Sequence, residues 1–387
     1  MTSRARPATG SPPLRRVLAA TVTPLASILG SGLLIIIPIL ERTLGALALV
    51  GAIGISVLAW FVGTVIRHNV TAVETAEEEG TLDAATALIN RVGDAVIVVA
   101  YVISVALYLR IMAQYIVGFF ESGGDTVLES VIAGAAVVLI VAIGSFRGFR
   151  GLDRLDRYSL TTVLALTAVL VVALLVHDAG LIGEGSLTLP PIPDTDPWMI
   201  LLILGGTVIT VQGFETVRFL KSHYDARTRI RASRVAQLVA AGIYVAFVIV
   251  ATPVMGLGTA AGADDTLLTI TARAAPWLIL PLVLSAILSQ FSAAIADVSA
   301  ADGNLRGFGH WFSGPRPYLI TGVLAIALIS TLPLLVLVTV ASRAFAAYYA
   351  IEAVIAHRTS AGWWRKVGFG IIAVLMAAIT LFALPAS

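Results

Sequence analysis

The hydropathy of this chain rises and falls in long blocks. Apolar runs of about 20 residues, enough to cross a hydrocarbon core of ~30 Å as helix, recur from one end to the other. Eleven segments qualify: 16–40, 44–66, 94–120, 127–146, 158–177, 198–221, 234–257, 276–301, 317–331, 333–357 and 364–384. The ninth is short, and only the turn at Thr331-Leu332-Pro333 separates it from the tenth. Between the second and third, residues 69–92 are polar and carry Glu77-Glu78-Glu79. That pattern predicts a surface helix or loop with a solvated acidic face.

Composition agrees with a chain solvated mainly by lipid. Of 387 residues 58% are hydrophobic and 12% charged, about half the charged share of a soluble domain, and mean hydropathy is +0.96. There is no cysteine, which excludes disulfides, iron–sulfur clusters and thiol catalysis. Only Lys221 and Lys366 among the 25 basic residues are lysine, a bias that fits a GC-rich prokaryotic genome. The first apolar stretch follows Arg4, Arg6, Arg15 and Arg16. It is too long for the apolar core of a signal peptide and is expected to stay in the protein.

Arginine placement gives the orientation. Arg147, Arg150, Arg154 and Arg157 follow span four, and Lys221, Arg227, Arg229, Arg231 and Arg234 follow span six. Arg306 and Arg316 follow span eight, and Arg358, Arg365 and Lys366 follow span ten. The alternate loops 121–126, 178–197 and 258–265 contain neither lysine nor arginine. Eleven spans put every basic loop on one side, so the expectation is a multi-pass plasma-membrane protein, a prokaryotic inner-membrane one. Its N-terminus is then cytoplasmic and its C-terminus outside. The positive-inside rule also accounts for the arginine-rich 218–234 segment, which therefore does not argue for nucleic-acid binding.

Two spans look interrupted. Span one contains Gly30-Ser31-Gly32 after Thr23-Pro24, and span six reads Gly205-Gly206-Thr207-Val208-Ile209-Thr210-Val211-Gln212-Gly213-Phe214-Glu215. Breaks are expected at 28–32 and 207–215. Non-helical backbone at membrane depth persists only where it lines a cavity or is buried in protein. Interruptions at matching places in two halves point to a transporter site.

Those residues also carry a resemblance. Gly30-Ser31-Gly32 and Gln212-Gly213-Phe214-Glu215 resemble the G-S-G and G-[FV]-E motifs of the amino acid–polyamine–organocation (APC) superfamily. Ala300-Ala301-Asp302-Gly303 resembles its span-eight end. The resemblance implies an all-α membrane protein of the LeuT-type fold: a 5+5 inverted-repeat bundle plus one extra span, about 11 transmembrane helices. Residues 1–15 would be a cytoplasmic tail, 16–177 and 198–357 the two repeats, and 364–384 a peripheral span. The implied activity is secondary transport of an amino acid or amino-acid-like solute by alternating access. A carrier of an inorganic cation or another small organic solute is the alternative.

The expected solute contacts follow from the breaks. Amides near Ile28, Gly30, Ser31 and Gly32, at the positive end of a half-helix, suit a carboxylate. Carbonyls of Val208, Ile209, Thr210 and Val211, with Gln212 and Gly213, suit an ammonium. By resemblance Ile209 faces the solute side chain and Glu215 is a gating or proton-coupling position. Arg343, near mid-depth of span ten, would bind a solute carboxylate or pair with a glutamate. Arg110 would gate, snorkel, or pair with Glu121 or Glu129. Glu215 and Arg218 are expected to pair locally. No cofactor is expected beyond the coupling ion, sodium or a proton. Resemblance puts a sodium site at the carbonyls of Ala26 and Leu29 and the hydroxyls of Ser289 and Ser292, although Ala293 stands where relatives often have a second hydroxyl. Asp297 and Glu352 are further proton candidates.

Enzyme, channel and receptor readings find little in the chain. His68, His177, His223, His310 and His357 all fall at span ends or in loops, and no metal-ligand or serine-nucleophile pattern lies within a span. The expected partners are the bilayer and a small solute.

Overall fold

A computed structural model describes residues 12–32, 34–120, 125–147, 149–255, 268, 271–272 and 276–384. Among them are twelve α-helices and no strand. In chain order they are α1 (Leu14–Gly32), α2 (Ile36–Leu44), α3 (Ala48–Glu79), α4 (Ala84–Phe120), α5 (Thr126–Arg147) and α6 (Phe149–Gly183). Then come α7 (Pro197–Gly205), α8 (Ala226–Met255), α9 (Ile279–Gly307), α10 (Arg316–Thr331), α11 (Leu334–Thr359) and α12 (Trp363–Phe382). Eight helical stretches are long and apolar enough to cross a membrane, with Ile36–Glu79 counted as one, and α10 is a shorter apolar helix. The expected loops 121–126 and 258–265 lie largely outside the described residues, as do the side chains of Arg147, Arg150, Arg154 and Arg157.

Aspartates start four of these helices. Asp83 accepts from the Thr86 amide (3.0 Å) and hydroxyl (2.6 Å), and Asp225 does the same for Thr228 (3.0 and 2.6 Å). Asp196, followed by Pro197, accepts from the Trp198 amide at 2.7 Å, and Asp125 from the Val127 amide at 2.9 Å. Each satisfies an amide that a helix start leaves orphaned. The Thr86 bonds, with Arg358 beside them, hold the exposed Asp83 carboxyl down at about 2. A depressed folded-state value means this cap is at full strength above the ordinary carboxylate range and fades as pH falls toward about 2.

Helix α4 is the axis of the bundle. Residues 100–113 are buried without exception, as expected of a helix apolar on all sides, and it packs against α9, α11, α5 and α10. Helix α12 is peripheral: it rests on α11 and exposes Trp363, Trp364, Ile371, Val374 and Leu381. In lipid such an apolar exterior is the solvated surface, and the two tryptophans at its start suit the membrane interface.

Of the two forms expected for the polar stretch 69–92, helix or loop, it takes the helix. Helix α3 runs through it to Glu79, Gly80 ends it in a left-handed turn, and α4 begins at Ala84. The reason is that its polar residues tie helices together. Asn69 donates to the Glu352 carboxylate at 2.7 Å, and Glu74 takes a two-pronged ion pair from the buried Arg229 at 2.8 and 2.5 Å. Glu77, Glu78 and Glu79 are exposed, as expected. Breaking a buried pair by removing one member costs about 3–5 kcal/mol, and without Arg229 the Glu74 carboxylate keeps only the looser contact with Lys221 at 3.8 Å. Arg229→Met should therefore lower the unfolding temperature in detergent markedly, and adding Glu74→Gln should restore part of it. An unchanged unfolding temperature in Arg229→Met would show that this pair does not fasten α8 to α3.

Candidate substrate site

The first interruption lies one turn beyond its expected place. Helix α1 continues through Gly30, Ser31 and Gly32, and the backbone turns at Leu34 and Ile35 before α2 begins. Residues 28–32 are thus helical, and the glycines serve close approach instead of a break. A Cβ at Gly32 would overlap the Thr210 carbonyl oxygen and the Tyr244 hydroxyl. The second interruption is where it was expected. Helix α7 ends at Gly205, a short 3-10 turn covers Val208–Val211, Gln212 and Gly213 are irregular, and a 3-10 helix runs over Phe214–Ser222. Gly213 has φ +124°, which disfavours any side chain, and a Cβ there would lie 2.7 Å from both the Ser27 hydroxyl and the Ile28 amide nitrogen. The two broken spans therefore cross in contact.

Carbonyls at the crossing are met by side chains from neighbouring helices. The Tyr244 hydroxyl on α8 stands 2.5 Å from the Ile28 carbonyl oxygen and 2.8 Å from that of Thr210, bridging both spans. Gln290 on α9 donates to the Gly30 carbonyl at 2.6 Å, and Ser342 on α11 donates to that of Gly206 at 2.6 Å. Gln212 donates to the Tyr108 hydroxyl on α4. Tyr244, Gln290 and Ser342 were missed from sequence; the available signal was a polar group in the middle of an apolar span, which lipid tolerates only facing the interior. Ser31 and Ile209 are described through their backbone alone. A cavity of about 50 Å³, lined by Leu34, Ile35, Gly206 and Thr207 among others, adjoins the crossing.

Below it, toward the arginine-rich end, lie two buried carboxyls. Asp297 on α9 accepts from Ser27 on α1 at 3.3 Å and from Ser104 on α4. Glu215 accepts from the Gly213 amide at 2.9 Å and from the Tyr349 hydroxyl on α11 at 2.8 Å, and its other oxygen has no partner. The buried Tyr101 hydroxyl lies near both and leans toward the Glu215 carboxyl. Neither carboxyl forms an ion pair among the described residues. The expected Glu215 and Arg218 pair does not form, because Arg218 reaches across to Glu352 on α11, with Tyr348 and Asn90 each at 3.0 Å and Asp94 at 3.9 Å. Asn90 and Asp94 also line a polar cavity of about 530 Å³ that opens at the arginine-rich end. Glu352, an expected proton candidate, is thus paired with Arg218.

The other expected charges sit elsewhere. Arg343 meets no carboxylate among the described residues: its guanidinium donates to the Ala383 carbonyl just past α12 at 3.2 and 2.6 Å, where unmatched helix-end carbonyls attract a cation. Arg110 joins α4 to α5 and α10 through Glu129 (3.5 Å), Ser130 (2.5 Å) and the Ile329 carbonyl (3.0 Å), while Glu121 lies outside the described residues. Ala26 and Leu29 on α1, and Ser289 and Ser292 on α9, are all buried where those helices pack together. Ala293 packs against Gly30 at that contact.

Residues 14–383 match a family of APC superfamily transporters. The chain belongs to the APC superfamily. It is 30% identical over 379 residues to an Aquifex aeolicus (strain VF5) protein described only as uncharacterized, covering 96% of this chain and 91% of that one. Two solved transporters share the fold. MHP1, a nucleobase-cation-symport-1 family transporter in a closed conformation with bromovinylhydantoin bound, superposes with TM-score 0.60 at 13% identity, over 95% of this chain and 91% of its own. MhsT in complex with L-phenylalanine gives 0.57 at 16%, over 98% and 100%. This APC superfamily member is an all-helical, multi-pass membrane protein of the LeuT-type inverted-repeat fold. Its crossing of broken spans leaves no room for a side chain at Gly32 or Gly213. Gly32→Leu is expected to abolish uptake while the protein still reaches the membrane, and Gly213→Ala to impair it severely. Uptake at the natural rate in Gly32→Leu would remove the crossing from the transport path.

Proposed function

We propose that this protein is a secondary active transporter for a small amino acid or amino-acid-like solute, working by alternating access at the crossing of its two broken spans. The observation that carries the reading is the contact of those spans, where backbone carbonyls lie beside side-chain groups with unused capacity. The Gln290 side-chain oxygen is one such group, buried with no partner. An α-amino acid head group presents both a cation and an anion, and a broken helix pair offers carbonyls for one and amides for the other. The phenylalanine bound by MhsT supports that solute class.

Coupling is assigned to protons. Asp297 and Glu215 are fully buried and form no ion pair among the described residues, and an unmatched charge at membrane depth is costly. Taking up and losing protons here changes the hydrogen bonds that link α1, α4, α9, α11 and span six. Arg218 and Glu352 act as the lock at the arginine-rich end, which the positive-inside rule makes cytoplasmic. The same two carboxyls favour a second reading, in which the solute is itself an inorganic cation.

Reconstituted protein tested with labelled amino acids and rubidium, under a sodium gradient or a pH gradient, separates these readings. An amino acid accumulated under a pH gradient alone is the expected result. Asp297→Asn should lose the response to the gradient, and Glu215→Gln should flatten the pH profile more than it alters half-saturation. Accumulation that needs sodium and ignores pH would overturn proton coupling, and rubidium uptake without amino-acid uptake would favour the second reading.

A further inference from the structure

Two cavities adjoin along α3 and α8 and share Trp60 and Phe61. One, of about 730 Å³, lies toward the arginine-rich end and is lined by Arg67, Arg234, Arg365 and His68 with the aromatic rings of Trp60 and Phe369. The other, of about 460 Å³, is almost wholly apolar, with Ile53, Val57, Leu238, Gly242 and Val245 in its walls.

The charge in the first cavity is uncompensated. Arg67 is only 6% exposed, yet every group it bonds is neutral: the Gln237 side-chain oxygen, the Trp60 carbonyl at 3.2 Å and the Thr64 hydroxyl at 2.9 Å. Its guanidinium also lies 4.6 Å from the centre of the Trp60 ring. Arg234 is close enough to repel it, and Arg365 stands in the same relation to His68. None of the three arginines pairs with a carboxylate among the described residues, whereas Arg110, Arg218, Arg229, Arg306 and Arg358 all do. A buried guanidinium with no anion, as Arg67 is, is costly; Arg234 and Arg365 stand exposed beside it, and the forked donors of all three match a phosphate.

The second cavity says what carries the phosphate. Its rim residues Ile53, Val57, Phe61 and Leu238 are 46–60% exposed on the lipid-facing exterior. From Arg67 to Ile53 the groove follows α3 for about 21 Å at 1.5 Å per residue. We propose that the paired cavity binds one anionic phospholipid, with its headgroup phosphate among Arg67, Arg234 and Arg365 and an acyl chain in the groove. Basic pockets between membrane helices are suited to acidic headgroups. The inner wall of the groove includes Ile28, Val211 and Tyr244, so the acyl chain ends against the crossing of the broken spans.

The test uses the purified full chain, stripped of lipid in detergent and offered phosphatidylglycerol, phosphatidylcholine or inorganic phosphate. Native mass spectrometry should find one phosphatidylglycerol held at least tenfold more strongly than phosphatidylcholine, and only phosphatidylglycerol should raise the unfolding temperature. The double variant Arg234→Gln/Arg365→Gln should lose that preference, and Arg234→Lys/Arg365→Lys should keep most of it, which separates charge from misfolding. Gly242→Trp, which fills the groove, should weaken retention of phosphatidylglycerol. Equal retention of the two lipids, or unchanged preference in the glutamine variant, would overturn the site. Protection by inorganic phosphate equal to that by phosphatidylglycerol, with Gly242→Trp neutral, would assign it to a free anion and overturn the lipid.

Discussion

A backbone amide or carbonyl left unpaired in hydrocarbon costs several kcal/mol, so a helix can break inside a membrane only where protein supplies the missing partners. This chain breaks two helices and makes each the neighbour of the other. The consequences spread outward from that contact. Gly32 and Gly213 carry no side chain because a carbonyl or hydroxyl of the opposite span occupies the space. Tyr244 spans both carbonyls, while Gln290 and Ser342 reach in from α9 and α11. Three helices, α8, α9 and α11, are thereby committed to positions set by hydrogen bonds instead of by apolar packing alone, which among lipid tails offers little preference between partners.

The same constraint governs charge. Arginines at one end are matched across the bundle, Arg229 with Glu74 and Arg218 with Glu352, and these pairs tie the polar ends of α3, α8, span six and α11. Asp297 and Glu215 stand apart, buried with hydroxyl and amide donors and no cation. Matched ion pairs at one end and carboxyls without a cation nearer the centre support the proposed division of labour, in which the former close the path and the latter answer to protons. Arg67, Arg234 and Arg365 are the reverse case, cations without carboxylate partners among the described residues, and they line one cavity, where the proposed lipid headgroup would supply the anion.

Much of this was legible in the residues. Apolar length gave the membrane-spanning character of the chain, with eight helical stretches among the described residues long and apolar enough to cross, whereas the aspartate caps at Asp225 and Asp196 were not read in advance. The G-S-G and G-F-E motifs led to the crossing. The position of the first break was misread because glycine weakens a helix and also permits close packing, and only the partner's position decides between the two. Residues 69–92 took the helical one of their two expected forms with the acidic run exposed, but polarity alone did not reveal the partners, Glu352 for Asn69 and Arg229 for Glu74, which lie 283 and 155 residues away. Arg343 likewise found a carbonyl at the end of α12, which no local pattern in span ten announces.

Alternating access requires that opening one end of the path closes the other, and the chain's lack of cysteine allows a clean measurement of this. Thr207→Cys places a thiol in the small cavity beside the crossing, on the far side from the Arg218 lock. Its labelling by a membrane-impermeant maleimide can be compared with and without Arg218→Ala, which releases that lock. The account predicts slower labelling when the lock is released, because the opposite end then closes more of the time. Labelling that is unchanged or faster would mean that the two ends open independently, and the alternating-access account would fail.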